Sequence, residues 1–332
     1  MQQEGDKRKN NSNTIMSGGA MKAIKRNLGI LVALVALCVV LSFATSAFLT
    51  SKNIMNVLQQ ISTNGMIAFG MTYVILLGGI DLSVGSVVAL SGVMSMALMA
   101  RSGWGLVPAL LAGVLIGTVI GLIDGFFITK VNMPAFIVTL AMMNIARGFA
   151  LITTSGKPIY VQDDRLLIIG NGKLLENVPL QAVYMLIIFA LLFVVLNYTK
   201  YGRHLYATGG NIEAARFSGI NVNRVQLTAY IISGTVSGFA GVLTAARLYS
   251  ALPSMGEGAE MNAIAAVVLG GTMMTGGSGT LGGTLIGALI IGVMNNGLNL
   301  MGVSSYWQDV AKGVIIILAI YMDIIRNKKK VK

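Results

Sequence analysis

Residues 261–308 read MNAIAAVVLGGTMMTGGSGTLGGTLIGALIIGVMNNGLNLMGVSSYWQ and contain no Asp, Glu, Lys or Arg. A transmembrane α-helix needs about 20 consecutive apolar residues, so this stretch is long enough for two such helices. Further charge-free runs cover residues 27–51, 53–80, 102–123, 177–199 and 225–246. The chain is therefore predicted to be an integral membrane protein.

The composition of the whole chain supports this prediction. Of the 332 residues, 55% are hydrophobic and 11% are charged, whereas about 25% of the residues in a soluble domain are charged. The runs are too long and too uniformly apolar for the alternating strands of an outer-membrane barrel. The predicted fold class is an all-α polytopic membrane protein with about ten transmembrane helices and glycine-rich breaks.

The apolar runs and the residues that interrupt them predict where each span lies. We expect spans at residues 28–48, 60–79, 84–100, 106–128, 134–153, 179–197, 226–246, 260–275, 279–299 and 307–325. The breaks at residues 78–85 and 270–283 are rich in glycine, and freed backbone in a membrane must be covered by protein or water. If one of these segments is re-entrant, the count falls to about eight or nine.

Charges outside the spans predict the orientation of the chain. Basic residues flank the first and last spans, namely Lys7, Arg8, Lys9, Lys22, Lys25, Arg26, Arg326, Lys328, Lys329, Lys330 and Lys332. The positive-inside rule then places both termini in the cytoplasm, and we expect a multi-pass protein of the bacterial inner membrane. The net charge of +12 is explained by contact with anionic membrane lipid and not by binding of nucleic acid.

This orientation divides the chain into regions. A cytoplasmic basic tail covers residues 1–27, the transmembrane domain covers residues 28–325, and a second cytoplasmic tail covers residues 326–332. Within the transmembrane domain, residues 198–225 form a cytoplasmic loop and residues 154–178 form an extracytoplasmic loop.

Several functional classes lack the residues that they need. Cys38 is the only cysteine and His204 the only histidine, so there is no intrachain disulfide and no thiolate or histidine metal cluster. The sequence contains no Gly-x-x-x-x-Gly-Lys-Ser/Thr phosphate loop, so this chain is not expected to bind ATP itself. We also see no pairing of a nucleophile with a base, and we predict no catalytic residue.

The cytoplasmic loop contains signals for a short helix over residues 211–218. Asn211 is a good N-cap, Glu213 lies in the positive first turn, and Gly219 can end the helix in the left-handed conformation. So short a helix gains little from propensity alone. It is expected either to dock on a partner or to lie on the lipid headgroups.

Several motifs resemble the permease subunits of ribose- and galactose-type ABC importers. They are Asn56-Val57-Leu58-Gln59-Gln60, the Asp-Leu-Ser-x-Gly motif at residues 81–85, Gly-Gly-Asn-x-Glu-Ala-Ala at residues 209–215, residues 263–271, Asn295-Asn296-Gly297-Leu298-Asn299 and Gly302-Val303-Ser304-Ser305-Tyr306. The last of these is most similar to the ribose permeases. The resemblance implies a monosaccharide importer, with ribose as the favoured substrate.

The resemblance also implies partners and a coupling segment. The partners would be a second permease copy, an ABC ATPase subunit that binds ATP and Mg, and an extracytoplasmic sugar-binding protein. No cofactor would be bound by this chain. The residues implied in ATPase coupling are Gly209, Gly210, Asn211, Glu213, Ala214, Ala215 and Gly219.

Polar residues inside the spans are the candidates for the translocation path. Asp81, beside Ser83, either caps the following helix or takes part in gating. Asn295, Asn296 and Asn299 bind sugar hydroxyls or a neighbouring helix. Two further charged features are not expected to take part in catalysis. Arg147 is expected to bind a backbone carbonyl or to reach the membrane surface. Asp309 is expected to form an ion pair with Lys312, three residues away.

A second function fits the same spans and breaks. An ion-coupled secondary sugar carrier also uses interrupted helices, but it needs an ion or proton site near the middle of the membrane. Asp81 and Asp124 are the residues that offer one. The resemblance of the cytoplasmic loop favours the ABC permease.

Overall fold

A computed structural model describes residues 28–174 and 178–331. The predicted tail at residues 1–27 and the final Lys332 lie outside the described residues. Within them the chain folds into 13 helices with very little strand. Their bounds are α1 (Leu28–Ala44), α2 (Ser51–Leu76), α3 (Val84–Ser102), α4 (Leu106–Thr129), α5 (Ala135–Thr154), α6 (Asp164–Asn171), α7 (Leu180–Tyr198), α8 (Lys200–Gly210), α9 (Ile212–Phe217), α10 (Val222–Leu248), α11 (Ala259–Leu269), α12 (Leu281–Leu300) and α13 (Ser305–Val331).

The predicted all-α membrane fold is confirmed, and six of its predicted spans are found as helices. In the described ranges, α3, α4, α5, α7, α10 and α12 are each long and apolar enough to cross a membrane. Their ends lie within a few residues of the predicted spans, because long apolar runs leave the backbone in lipid no alternative to a helix. The predicted total of about ten spans stays a prediction.

The span predicted at residues 260–275 is wrong as a continuous helix. Helix α11 has only 11 residues, which gives a length of about 16 Å at 1.5 Å per residue. That is roughly half of a hydrocarbon core about 30 Å thick. The chain after Leu269 turns at Gly270 and Gly271, and φ is +80° at Gly271. The glycine-rich break therefore ends a half-length helix and does not join two full spans.

Helix α2 begins earlier than the predicted span at residues 60–79. It starts at Ser51, where the side chain of Thr50 accepts a hydrogen bond from the backbone N–H of Asn53. Its first turns are polar, so apolar content alone places the start too late. Packing decides its position, since the second half of α2 is buried from Gly65 to Leu76.

The centre of the bundle depends on glycine contacts between α4 and α10. A Cβ at Gly117 would collide with the carbonyl oxygen of Gly234, and one at Gly121 with the carbonyl oxygen of Tyr230. A Cβ at Gly113 would crowd the side chain of Val242. Small residues allow backbones to approach closely in lipid, so these three glycines, spaced by four residues, allow α4 and α10 to pack together.

Two sets of loops mark the two ends of the bundle. At one end, the backbone N–H of Gly277 donates to the carbonyl of Leu76 at 2.9 Å, and the Tyr206 hydroxyl donates to the carbonyl of Gly279 at 3.0 Å. We name this the α8 end. Here the loop predicted at residues 198–225 contains two helices, α8 and α9, of which only α9 was expected.

The opposite end carries the short strands and α6. Strand β1 (Ile159–Tyr160) pairs antiparallel with β4 (Ser250–Ala251), and β2 (Lys173–Leu174) pairs with β3 (Val178–Pro179). Asp163 accepts hydrogen bonds from the side chain and backbone of Arg165 at the start of α6. These bonds hold the pKa of Asp163 below its ordinary value. The loop predicted at residues 154–178 is thus largely structured.

Candidate coupling segment and translocation path

Helix α9 forms as its cap signals predict. The Asn211 side chain accepts a hydrogen bond from the backbone N–H of Ala214 at 3.0 Å. Glu213 and Arg216 form an ion pair at 3.1 Å across one turn. Gly219 has φ +80°, and Ile220 donates its N–H back to the carbonyl of Ala215 at 3.0 Å. The left-handed glycine thereby closes the last turn.

The exposed surface of α9 combines charge with one large apolar group. Ala215 is buried at 3% exposure, whereas Phe217 is 90% exposed. Glu213 and Ala214, on the outer turns, are also exposed. An aromatic side chain exposed beside an ion pair on a short helix is a surface suited to a protein partner, because aromatic residues are enriched at interface centres.

Helix α8 connects α9 to the bundle through glycine contacts. A Cβ at Gly209 would collide with the carbonyl of Leu76, and one at Gly277 would lie 2.7 Å from the Cα of Gly210. Gly209 and Gly210 are the last two residues of α8. Gly209 packs onto the end of α2, and both glycines pack onto the break before α12. The family resemblance implied a coupling role for these two glycines, whereas their packing against the bundle was not predicted.

A cavity of about 320 Å³ lies between α9 and the membrane helices. Its lining includes Gly78 from the break after α2, Asn132 from the α4–α5 turn, Arg216 from α9, and Asn223 and Tyr230 from α10. Gly78 and Asn132 both have positive φ, at 74° and 59°. Ile212 of α9 also lines this cavity.

The candidate Asp81 lies in a buried hydrogen-bond network. Its Oδ1 accepts from the backbone N–H of Ser83 at 3.0 Å and from the Ser83 hydroxyl at 2.6 Å. Its Oδ2 accepts from the Ser233 hydroxyl at 2.7 Å. Helix α3 itself starts at Val84, with Ser83 in the N-cap position and no side-chain cap bond. Asp81 therefore holds the turn before α3 and links it to α10, and it is not itself the N-cap residue of α3.

Asp124 from α4 completes this network. The Ser83 hydroxyl lies 3.2 Å from Asp124 Oδ2, and Asp124 Oδ1 has no hydrogen-bond partner among the described residues. Both aspartates are buried, at 1% and 0% exposure. One serine hydroxyl thus lies between two carboxyl groups that no solvent reaches.

The three candidate asparagines of α12 separate into different environments. Asn296 exchanges two hydrogen bonds with Asn53 of α2, each 2.9 Å long, and Asn299 accepts from Gln308 of α13 at 2.7 Å. Of the two roles left open by the sequence, helix contact therefore holds for these two. Asn295 is buried, and its Oδ1 has no partner in the ranges that the structure covers.

Two predicted local contacts are confirmed. The guanidinium Nη1 of Arg147 donates hydrogen bonds to the backbone carbonyls of Pro253 and Met255. Lys312 forms an ion pair with Asp309 at 3.0 Å. The sequence did not reveal which carbonyls bind Arg147, because they lie more than one hundred residues away along the chain. It also gave no signal for Asn53, which is part of a polar start to α2.

The fold defines a class of protein: a polytopic membrane protein with interrupted helices and a helical segment packed at one end. The chain belongs to the family described as the branched-chain amino acid transport system permease component, whose model matches residues 53–320. The resemblance to permease subunits of ABC sugar importers is also confirmed.

Individual relatives cover almost all of the chain. It is 47% identical to the ribose import permease protein of Bacillus subtilis (strain 168), with 90% of this chain and 93% of that protein covered. The ribose import permease protein of Escherichia coli (strain K12) is 44% identical over the same shares. An L-arabinose ABC transporter permease protein of Azospirillum brasilense is 36% identical, with 94% and 91% covered. No solved structure matches the chain.

Proposed function

We propose that this chain is the membrane-spanning subunit of a binding-protein-dependent ABC importer, which carries a monosaccharide, with ribose favoured, into the cytoplasm. The observation that carries the proposal is the α8–α9 segment, capped at both ends of α9 and packed through Gly209 onto the bundle. The identity to two ribose import permeases supports ribose.

The energy for transport comes from a partner in this proposal. An ABC ATPase binds ATP and Mg and receives the exposed face of α9 around Phe217. When the ATPase sites close, α9 moves with them, and α8 transmits the displacement through Gly209 and Gly210 to Leu76 and Gly277. These backbone contacts are suited to transmission because they involve no flexible side chain.

The complete importer contains further components. Two copies of this permease form the path, and an extracytoplasmic sugar-binding protein delivers the sugar at the end that carries α6. The α8 end, with both chain termini, faces the cytoplasm, and lipid surrounds the apolar exposed helix faces. The path itself binds sugar weakly, and selectivity lies with the binding protein.

Uptake by reconstituted vesicles tests this function. The permease, its ATPase and its binding protein are placed in liposomes, and uptake of ribose, arabinose and galactose is measured with ATP or a non-hydrolysable analogue inside. We expect ribose uptake that requires hydrolysable ATP and the binding protein, and that persists when ionophores remove ion gradients. Uptake by the permease alone, driven by a proton or sodium gradient, would establish the carrier instead.

A further inference from the structure

A group of polar side chains lies on one side of the bundle, where α5 meets the connection between α10 and α11. It consists of Asn144 and Arg147 on α5 together with Ser254 and Glu257 on the connection between α10 and α11. Asn144, Ser254 and Glu257 are exposed, and Arg147 is half-buried. We name these four residues the α5 opening.

Arg147 places the opening well inside the membrane. It is preceded by 12 of the 20 residues of α5, which puts its Cα about 18 Å from the start of the helix and about 10 Å from the end. Its guanidinium binds the carbonyls of Pro253 and Met255. The side chain is therefore held at that depth and does not extend to the membrane surface.

The connection from β4 to α11 also enters the bundle. Gly256 lies against Gly85, at the first turn of α3, and against the side chain of Val88. The positive φ of Gly256 and Gly258, 72° and 75°, allows the chain to turn there into α11. Glu257 is thus carried on a segment that enters the bundle, two residues after the Met255 carbonyl that accepts a hydrogen bond from Arg147.

The space in front of these residues is open. A Cβ added at Gly148, beside Arg147, or at Gly258, beside Glu257, would meet no atom within 4 Å. Most other exposed side chains of α5 are apolar, as at Phe136, Ile145 and Ile152. Exposing a carboxylate or an amide to lipid at this depth in the membrane costs free energy. These side chains are therefore expected to face protein or water.

We propose that the α5 opening lines the hydrated path between two copies of the permease, and that Asn144 and Glu257 hydrogen-bond the hydroxyls of a neutral monosaccharide in transit. This inference rests on the proposed function and adds path residues to it. A carboxylate accepts hydrogen bonds from sugar hydroxyls, and an amide can both donate and accept. A negative charge at Glu257 also disfavours anionic sugar phosphates. Arg147 is a positioning residue, since it holds the connection that carries Glu257.

The first test measures hydration. Asn144→Cys and Glu257→Cys are made in a Cys38→Ala background, with Ile145→Cys as a control, because Ile145 neighbours Asn144 and is 49% exposed. The complete complex in liposomes is treated with a small, charged, membrane-impermeant methanethiosulfonate. We expect both path cysteines to react on the order of tenfold faster than Ile145→Cys, and ribose uptake to fall with modification. Equal rates at Asn144→Cys, Glu257→Cys and Ile145→Cys would overturn the proposal.

The second test measures the role of Glu257. Glu257→Gln keeps an acceptor oxygen and should retain most ribose uptake, whereas Glu257→Leu should lower the initial rate by roughly tenfold with unchanged assembly and ATPase binding. Equal uptake by the two variants would remove the assigned role. The two hypotheses fail in distinguishable ways: loss of ATP-dependent uptake in the unmodified complex defeats the function, while slow labelling in a transporting complex defeats only the path assignment.

Discussion

The carboxylate of Asp81 receives hydrogen bonds from Ser83 and Ser233, and substitution there separates a structural role from ion coupling. We expect Asp81→Asn to assemble and to retain most transport, because its amide still accepts from Ser83 and a hydroxyl can rotate to accept from the amide. Asp81→Leu should impair assembly, since each buried group left unsatisfied costs about 1–3 kcal/mol. Complex yield and ATP-driven uptake measure both variants. Normal assembly of Asp81→Asn with loss of proton-dependent uptake would instead support the carrier.

Asp124 should behave differently from Asp81, although the two share Ser83. The single hydroxyl proton of Ser83 serves the shorter contact, 2.6 Å to Asp81, and the 3.2 Å contact to Asp124 then needs a donor on residue 124. An amide supplies one, so Asp124→Asn should match the unmodified protein in thermal unfolding and uptake. Asp124→Leu, similar in size but without a donor, should unfold at a lower temperature. Equal loss of uptake in both variants would mean that the carboxyl group itself is required.

At the scale of the element, α9 can be weakened without unfolding the bundle. Removing the Asn211 cap costs about 1 kcal/mol, and Gly219→Val forces a β-branched residue into the left-handed conformation. The double variant Asn211→Ala with Gly219→Val should insert normally, bind the ATPase less well and lose ATP-dependent uptake. Co-purification and ATPase stimulation are the measurements. Gly302→Val serves as a control, because that glycine has φ +73° but no atom within 4 Å of a Cβ. Normal ATPase binding and uptake in the double variant would show that α9 is not the coupling element.

Local signals explain which elements the sequence predicts. The caps of α9 and the ends of α3 to α5 depend on neighbouring residues, so their bounds follow closely from the sequence. The contacts of Asn296 with Asn53 and of Arg147 with Met255 join distant segments and carry no local pattern. Helix α8 was missed because its hydrophobic side is short and its last two residues are glycines, which predict a turn. The half-length of α11 was missed because the residues directly after it, 270–275, carry no charge and include Met273 and Met274.

At the scale of the whole molecule, orientation can be tested by labelling. In a Cys38→Ala background, Ser218→Cys reports the α8 end and Lys157→Cys the opposite end, and both positions are exposed. An impermeant thiol reagent added to intact cells should modify Lys157→Cys, and should reach Ser218→Cys only after the membrane is opened. Ser12→Cys should behave like Ser218→Cys if the N-terminal tail is cytoplasmic. Modification of Ser218→Cys in intact cells would reverse the orientation.

The packing of α8 has a consequence for energetic efficiency. Gly209 and Gly210 contact both the last turn of α2 and the hairpin before α12, so one displacement acts on both elements simultaneously. A mechanism with two separately driven gates can stall with one gate open and lose solute backward. In the proposed importer, this shared contact point means that an incomplete movement of α8 leaves both α2 and the segment before α12 in their starting positions, so that ATP is spent without opening a leak across the membrane.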